Sequence, residues 1–193
     1  MSESSSIYKS PEIEATLMSI YDARLERWPV PYESIYIDTT YGKVHTIVSG
    51  PDDGPAVLLL HASGLSAWSW LYNVEALNKR YRTYAVDTIG DAGKSSLDDV
   101  HKFPQDGPAL SYFYLEISDK LVIDRAYVVG ASQGGFIGTN YALYAPERVK
   151  KLALLGPMGY AGTLRTVVRI VLATMLPFKS FQDSTFRWAF GDD

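Results

Sequence analysis

The sequence predicts an α/β fold, a mostly parallel sheet with helices on both faces, preceded by an N-terminal helix and a β-hairpin. Two observations predict the sheet. Short, continuous apolar runs recur at 56–60, 81–86, 126–129 and 152–155, as strands buried on both faces require. Helical stretches at about 68–79, 109–122 and 135–145 separate them, and alternating strands and helices build a parallel sheet. A third, upstream observation is a pair of alternating runs split around Tyr41-Gly42, which reads as a hairpin adding antiparallel strands at one edge.

The elements follow in order. Ser10-Pro11 is an N-cap followed by proline at the first helical position. Ile13, Leu17, Ile20 and Tyr21 then recur at helical spacing and Pro29 closes the segment, giving a helix over roughly 11–27. Ile35, Ile37 and Val44 belong to the hairpin. Residues 49–55, SGPDDGP, form a loop by their turn residues. Residues 1–159 read as the core and 160–193 as a separate segment behind it. No internal repeat or low-complexity tract is visible.

Composition narrows the function. The chain has 193 residues, 47% hydrophobic, with a net charge of −4; nucleic-acid binding would call for a basic stripe. Cysteine is absent, which removes a disulfide framework and a thiolate metal site. Asp98-Asp99 has no further ligands nearby in sequence, so no metal site is expected. The N-terminus lacks a basic start followed by an apolar stretch, and the longest apolar stretch, 167–178, is interrupted by Arg169 and too short to span a bilayer. The expectation is a cytoplasmic protein with no membrane span.

The chemistry concentrates at one turn. The strand at 126–129 runs into Gly130-Ala131-Ser132-Gln133-Gly134-Gly135, and a helix follows. This is G-x-S-x-G in the strand–turn–helix setting of a nucleophile elbow. Ser132 at the apex is the candidate nucleophile, and Gly130, Gly134 and Gly135 leave room for the close chain approach. The N-terminus of the following helix favours a developing negative charge there. An acyl-transfer site also needs two backbone N–H donors for the oxyanion. One is expected from Gln133 and the other from the loop after the first buried strand, His61-Ala62-Ser63-Gly64, through Ser63 or Ala62. His61 and Gly64 are read as support for that loop, with His61 as the catalytic base the alternative.

The succession LLLHASG, AVDTIGDAGKS and VVGASQGG resembles the α/β-hydrolase superfamily, in its serine-nucleophile branch. More narrowly, WPVPYESIYIDTTYGKVH, SGPDDGP and YRTYAVDTIGD resemble bacterial carboxylesterases of the naproxen-esterase type. The resemblance covers about residue 20 to the end. It implies an α/β-hydrolase sheet, no cofactor, and hydrolysis of a small hydrophobic carboxylic ester through an acyl-enzyme. Other serine members cleave lactones, amides or carbon–carbon bonds, and the elbow does not choose among them. The sequence departs from the family in two places. His61-Ala62 stands where His-Gly is usual. The triad order of this fold is Ser, then Asp or Glu, then His, yet His45, His61 and His101 all precede Ser132.

Family members continue through a lid and two further strands that carry the acid and the histidine, so the sequence reads as one that stops within the lid. Without a base, serine is a weak nucleophile, and impaired hydrolysis is expected. The alternatives are a non-catalytic binding module and one half of a two-chain hydrolase. His45, in the hairpin, and His101, in a surface loop, are expected to be solvent-facing or structural. Leu164, Val167, Val168, Val171, Leu172, Met175 and Leu176 recur at helical spacing and Pro177 follows. They read as a lid helix over an apolar pocket, with a core helix and a membrane-surface helix as alternatives. Left uncovered, such a face predicts self-association. Trp68, Trp70 and Tyr72 suit a pocket lining or helix packing equally. Lys150-Lys151 reads as a solvated pair.

Overall fold

The computed structural model describes residues 7–159, 168–169, 172–173 and 178–190. By backbone contacts the chain divides into two units, Met1–Met158 and Gly159–Asp193. In the first, helix α1 (Pro11–Leu25) precedes a hairpin of β1 (Tyr32–Thr39) and β2 (Gly42–Ser49). Then come β3 (Ala56–Leu60), α2 (Leu71–Leu77), β4 (Arg82–Val86), the two-residue β5 (Ser96–Leu97) and α3 (Gly107–Lys120). The unit closes with β6 (Ala126–Ala131), α4 (Gln133–Tyr144) and β7 (Val149–Leu155). The second unit contains α5 (Lys179–Phe190), where Arg169 donates to the Ser184 hydroxyl at 2.9 Å and the Ser184 carbonyl at 3.2 Å.

The sheet order is β1-β2-β4-β3-β6-β7, with β5 paired to β2. The hairpin is antiparallel and joins β4 antiparallel; β4, β3, β6 and β7 are mutually parallel. Strand alternation sends successive side chains to opposite faces. Leu58, Leu60 and Val128 therefore meet Phe113, Tyr114 and Ile117 of α3 and Ile137 and Tyr141 of α4. On the other face Val57, Leu59 and Ile47 meet Tyr21 and Leu25 of α1 and Leu71 and Val74 of α2.

The sequence-predicted α1 starts where the Ser10 hydroxyl accepts from the Ile13 N–H at 3.4 Å. The predicted helix at 68–79 is a 3-10 turn, Ala67–Trp70, continued by α2. Two expectations need correction. The run 152–155 was expected to be buried on both faces, but β7 is an edge strand and Ala153 and Leu155 are exposed. His45 was expected to be solvent-facing or structural; it is fully buried, so the solvent-facing reading fails. The hairpin is not a wet edge on both sides: β2 lies between β1 and β4, and α1 covers the face His45 points to. Most of the predicted lid helix lies outside the described residues; Val168 and Leu172, which are described, are exposed.

Candidate active site

The end of β6 places Ser132 at a backbone conformation that side chains rarely adopt, φ 49° and ψ −109°. Such a position costs about 1–3 kcal/mol and persists only where its surroundings hold it. Four hydrogen bonds do so. The Ser132 N–H donates to the Leu155 carbonyl at 3.0 Å, and the Ser132 carbonyl accepts from Gly135, Phe136 and Met158 at 3.0, 3.2 and 2.8 Å. The end of β7 and the turn after it thus pin the elbow from one side.

The oxyanion loop pins it from the other. Leu60 on β3 is in register with Gly130 on β6, which brings the two strand ends together. The Gly134 N–H donates to the His61 carbonyl at 3.0 Å. The contact is so close that a Cβ on Gly134 would lie 2.1 Å from the Leu60 carbonyl oxygen, and one on Gly130 would lie 2.3 Å from that of Gly134. Gly135 packs in the same way against Pro157. Ser132 is half-buried, and Ser63 and Gly64 are exposed at the rim.

The N–H groups of Gln133, Ala62 and Ser63 have no protein acceptor among the described residues. Gly64, by contrast, is committed: its N–H donates to the Asp91 carboxylate at 2.9 Å, and the Ala92 N–H donates to the same oxygen at 2.8 Å. Asp91 therefore anchors the oxyanion loop to the segment after β4. Sequence reading did not single it out, since an isolated aspartate in a glycine-containing loop looks like any turn residue.

His61 is also committed. Its Nε2 accepts from the Thr88 N–H at 2.9 Å, which requires the proton on Nδ1, and Nδ1 donates to the Ala62 carbonyl at 2.8 Å. Both ring nitrogens are occupied and the residue is 1% exposed. No lone pair remains to take a proton from Ser132. His45 and His101 lie elsewhere, the first buried under α1 and the second in an exposed turn. The Ser132 hydroxyl itself has no hydrogen-bond partner among the described residues.

Beside the oxyanion loop, an apolar cavity of ≈ 80 Å³ opens between α1 and the loops after β3 and β4. Leu17 and Met18 line it from the helix, Gly64, Leu65 and Trp68 from the oxyanion loop. Trp70 is buried in the core and Tyr72 is exposed. Behind the loop, burial pushes the Tyr114 hydroxyl up to about 12, so it stays protonated. Among the described residues no group of histidines and carboxylates is arranged to hold a metal ion.

A family model described as alpha/beta hydrolase fold matches residues 55–186. An uncharacterized carboxylesterase, nap, of Bacillus subtilis is 40% identical over 137 residues, 71% of this chain and 45% of that protein. Carboxylesterase YbfK of the same organism is 37% identical with the same coverage. The crystal structure of naproxen esterase from Bacillus subtilis superposes with a TM-score of 0.78 at 31% identity, covering 91% of this chain and 60% of that one. The chain thus spans about half the length of the curated relatives it matches. The strand order, the elbow after β6 and a family match over most of its length agree: the chain belongs to the α/β hydrolase fold family.

Proposed function

We propose that this chain carries the nucleophile and the oxyanion hole of a carboxylic-ester hydrolase. Ser132 attacks the ester carbonyl, the N–H groups of Gln133 and of Ser63 or Ala62 receive the oxyanion, and an acyl-enzyme forms and is hydrolysed. Donors already aimed at the developing charge supply much of the catalysis in such sites. The observation that carries the reading is the held backbone of Ser132 at φ 49° beside N–H groups that no acceptor among the described residues takes. The carboxylesterase relatives supply the substrate class, a carboxylic ester, and a small hydrophobic one is our reading.

Among the described residues no base and no orienting acid stand at Ser132. All three histidines are placed away from it or fully engaged, and a serine without a base is weak at neutral pH. The nucleophile and oxyanion machinery alone leaves residual catalysis, on the order of 10³–10⁴ over water in enzymes stripped of a triad member. Steady-state turnover of a 4-nitrophenyl butanoate by residues 1–193 is the test. Slow steady-state turnover, beyond the release of one product per chain, that disappears in Ser132→Ala is expected. Turnover at ordinary enzyme rates would overturn the absence of a base, and slow turnover unchanged in Ser132→Ala would overturn the nucleophile.

A further inference from the structure

A second serine, remote from the elbow, is joined to a histidine and an aspartate. Asp87 follows β4 and is fully buried. Its Oδ2 lies 2.8 Å from His45 Nδ1 and also accepts the Lys94 N–H at 2.9 Å, while Oδ1 accepts the Ala67 N–H at 2.7 Å. The carboxylate is thus held at both oxygens. It holds the imidazole proton on Nδ1 and leaves the Nε2 lone pair facing β1. There the hydroxyl of Ser34 stands 2.6 Å away. Asp87 and His45 are fully buried, whereas Ser34 is exposed on the outer strand of the sheet.

The roles match those of a serine triad, which is recognised by geometry and not by chain order. The buried acid sets the tautomer, the histidine accepts the hydroxyl proton, and the serine stands at an exposed position. The Tyr21 hydroxyl, 3.3 Å from Nδ1, is held protonated by burial and by the nearby Asp87 charge, so it does not compete for the proton. The outer rim of β1 presents the unpaired N–H groups of any edge strand. Four strand spacings separate β1 from β6, about 19 Å at ~4.8 Å each, so this group works apart from Ser132.

We propose that Ser34 is a second nucleophile, one that accepts an acyl group from small activated esters. Its Oγ bonds to the ester carbonyl carbon as its proton passes to His45 Nε2. The tetrahedral adduct then expels an aryl oxide, which takes the proton from His45 Nε2 as it leaves, giving acyl-Ser34, a neutral imidazole and a phenol that ionises in bulk water. Deacylation needs a water at Nε2 of a fully buried ring, and the acyl group now stands on the serine that bonds to that nitrogen. The acyl-enzyme therefore accumulates, in contrast to the turnover proposed at Ser132.

The test uses residues 1–193 carrying Ser132→Ala, treated with 4-nitrophenyl acetate. The expected result is a burst of one 4-nitrophenolate per chain with no steady turnover above the uncatalysed rate afterwards. Peptide mapping should place a hydroxylamine-sensitive acetyl ester on Ser34. Ser96, exposed on β5, serves as the internal reference and should react at least about 100-fold more slowly, the lower range of general-base assistance. Ser34→Ala should abolish the burst with the folded state kept, as circular dichroism checks; His45→Gln should slow it by a similar factor where the variant folds. Absence of the ester, or equal labelling of Ser34 and Ser96, overturns the proposal. Because Ser132 is already alanine, neither result bears on the elbow.

Discussion

Gly134 carries the most exacting single constraint at the elbow. It sits against the backbone of Leu60 and His61, where a methyl group has no side chain to push aside. Gly134→Ala should therefore force the β3 and β6 ends apart. A loss of about 1–3 kcal/mol is expected from overpacking of this kind, read as a lowered denaturant midpoint, and a variant as stable as the parent would contradict it. Ser132, Gln133 and the three glycines were legible in the sequence because the elbow is a local object, written in six consecutive residues. His45, Asp87 and Asp91 were not. Their partners lie 11 to 42 residues away in the chain, and a hydrogen bond between distant strands leaves no spacing to read. The ring of His61 is an intermediate case. Its position at a strand end suggested loop support, but the Thr88 N–H that occupies its lone pair comes from a different loop.

Among the elements, α3 ends under strain. Val122, a β-branched residue, stands at φ 57° just past the helix. Its N–H donates to the Asp119 carbonyl and that of Ile123 to the Ser118 carbonyl, at 3.0 and 2.8 Å. This is the paired closure that ends helices in a left-handed residue, normally glycine. The Val122 side chain is 91% exposed and contributes little packing. Val122→Gly should then stabilise the chain by about 1 kcal/mol, the lower end of the left-handed penalty for a side-chain-bearing residue; urea unfolding would check it, and an unchanged or lowered midpoint would count against this account. The sequence marked the end of α3 nearly correctly but gave no hint of this conformation, because valine is the wrong residue for it. Similarly, β3 and β4 were readable as apolar runs, whereas the two-residue β5 is defined only by pairing with β2. The α5 helix follows Pro177 in a stretch with no strong apolar run and was not anticipated.

At the scale of the molecule, the sheet ends in an unpaired edge among the described residues. β7 is a parallel edge strand, and parallel strands are ordinarily covered on both faces. Here Ala153 and Leu155 are exposed, with Leu143, Tyr144 and Met158 exposed nearby in the chain. Unpaired edges and apolar patches promote association. Sedimentation velocity over a range of concentrations should show concentration-dependent self-association, and a monomer at every concentration would argue against it. None of the helices among the described residues is long and apolar enough to cross a membrane. The fold class was legible from the alternation of runs and helices. The separation of the three histidines from Ser132 was only half legible: their order in the chain excluded the usual triad, but only the structure shows that the ring of His61 has no free lone pair.

The central claim is a built elbow without its base, and covalent labelling of Ser132 by a fluorophosphonate tests it most directly. The isolated chain should label Ser132 slowly, with the adduct located by peptide mapping and absent in Ser132→Ala. Rapid, stoichiometric labelling of Ser132 would contradict the account, because some group on this chain or on a second copy would then have to be acting as its base.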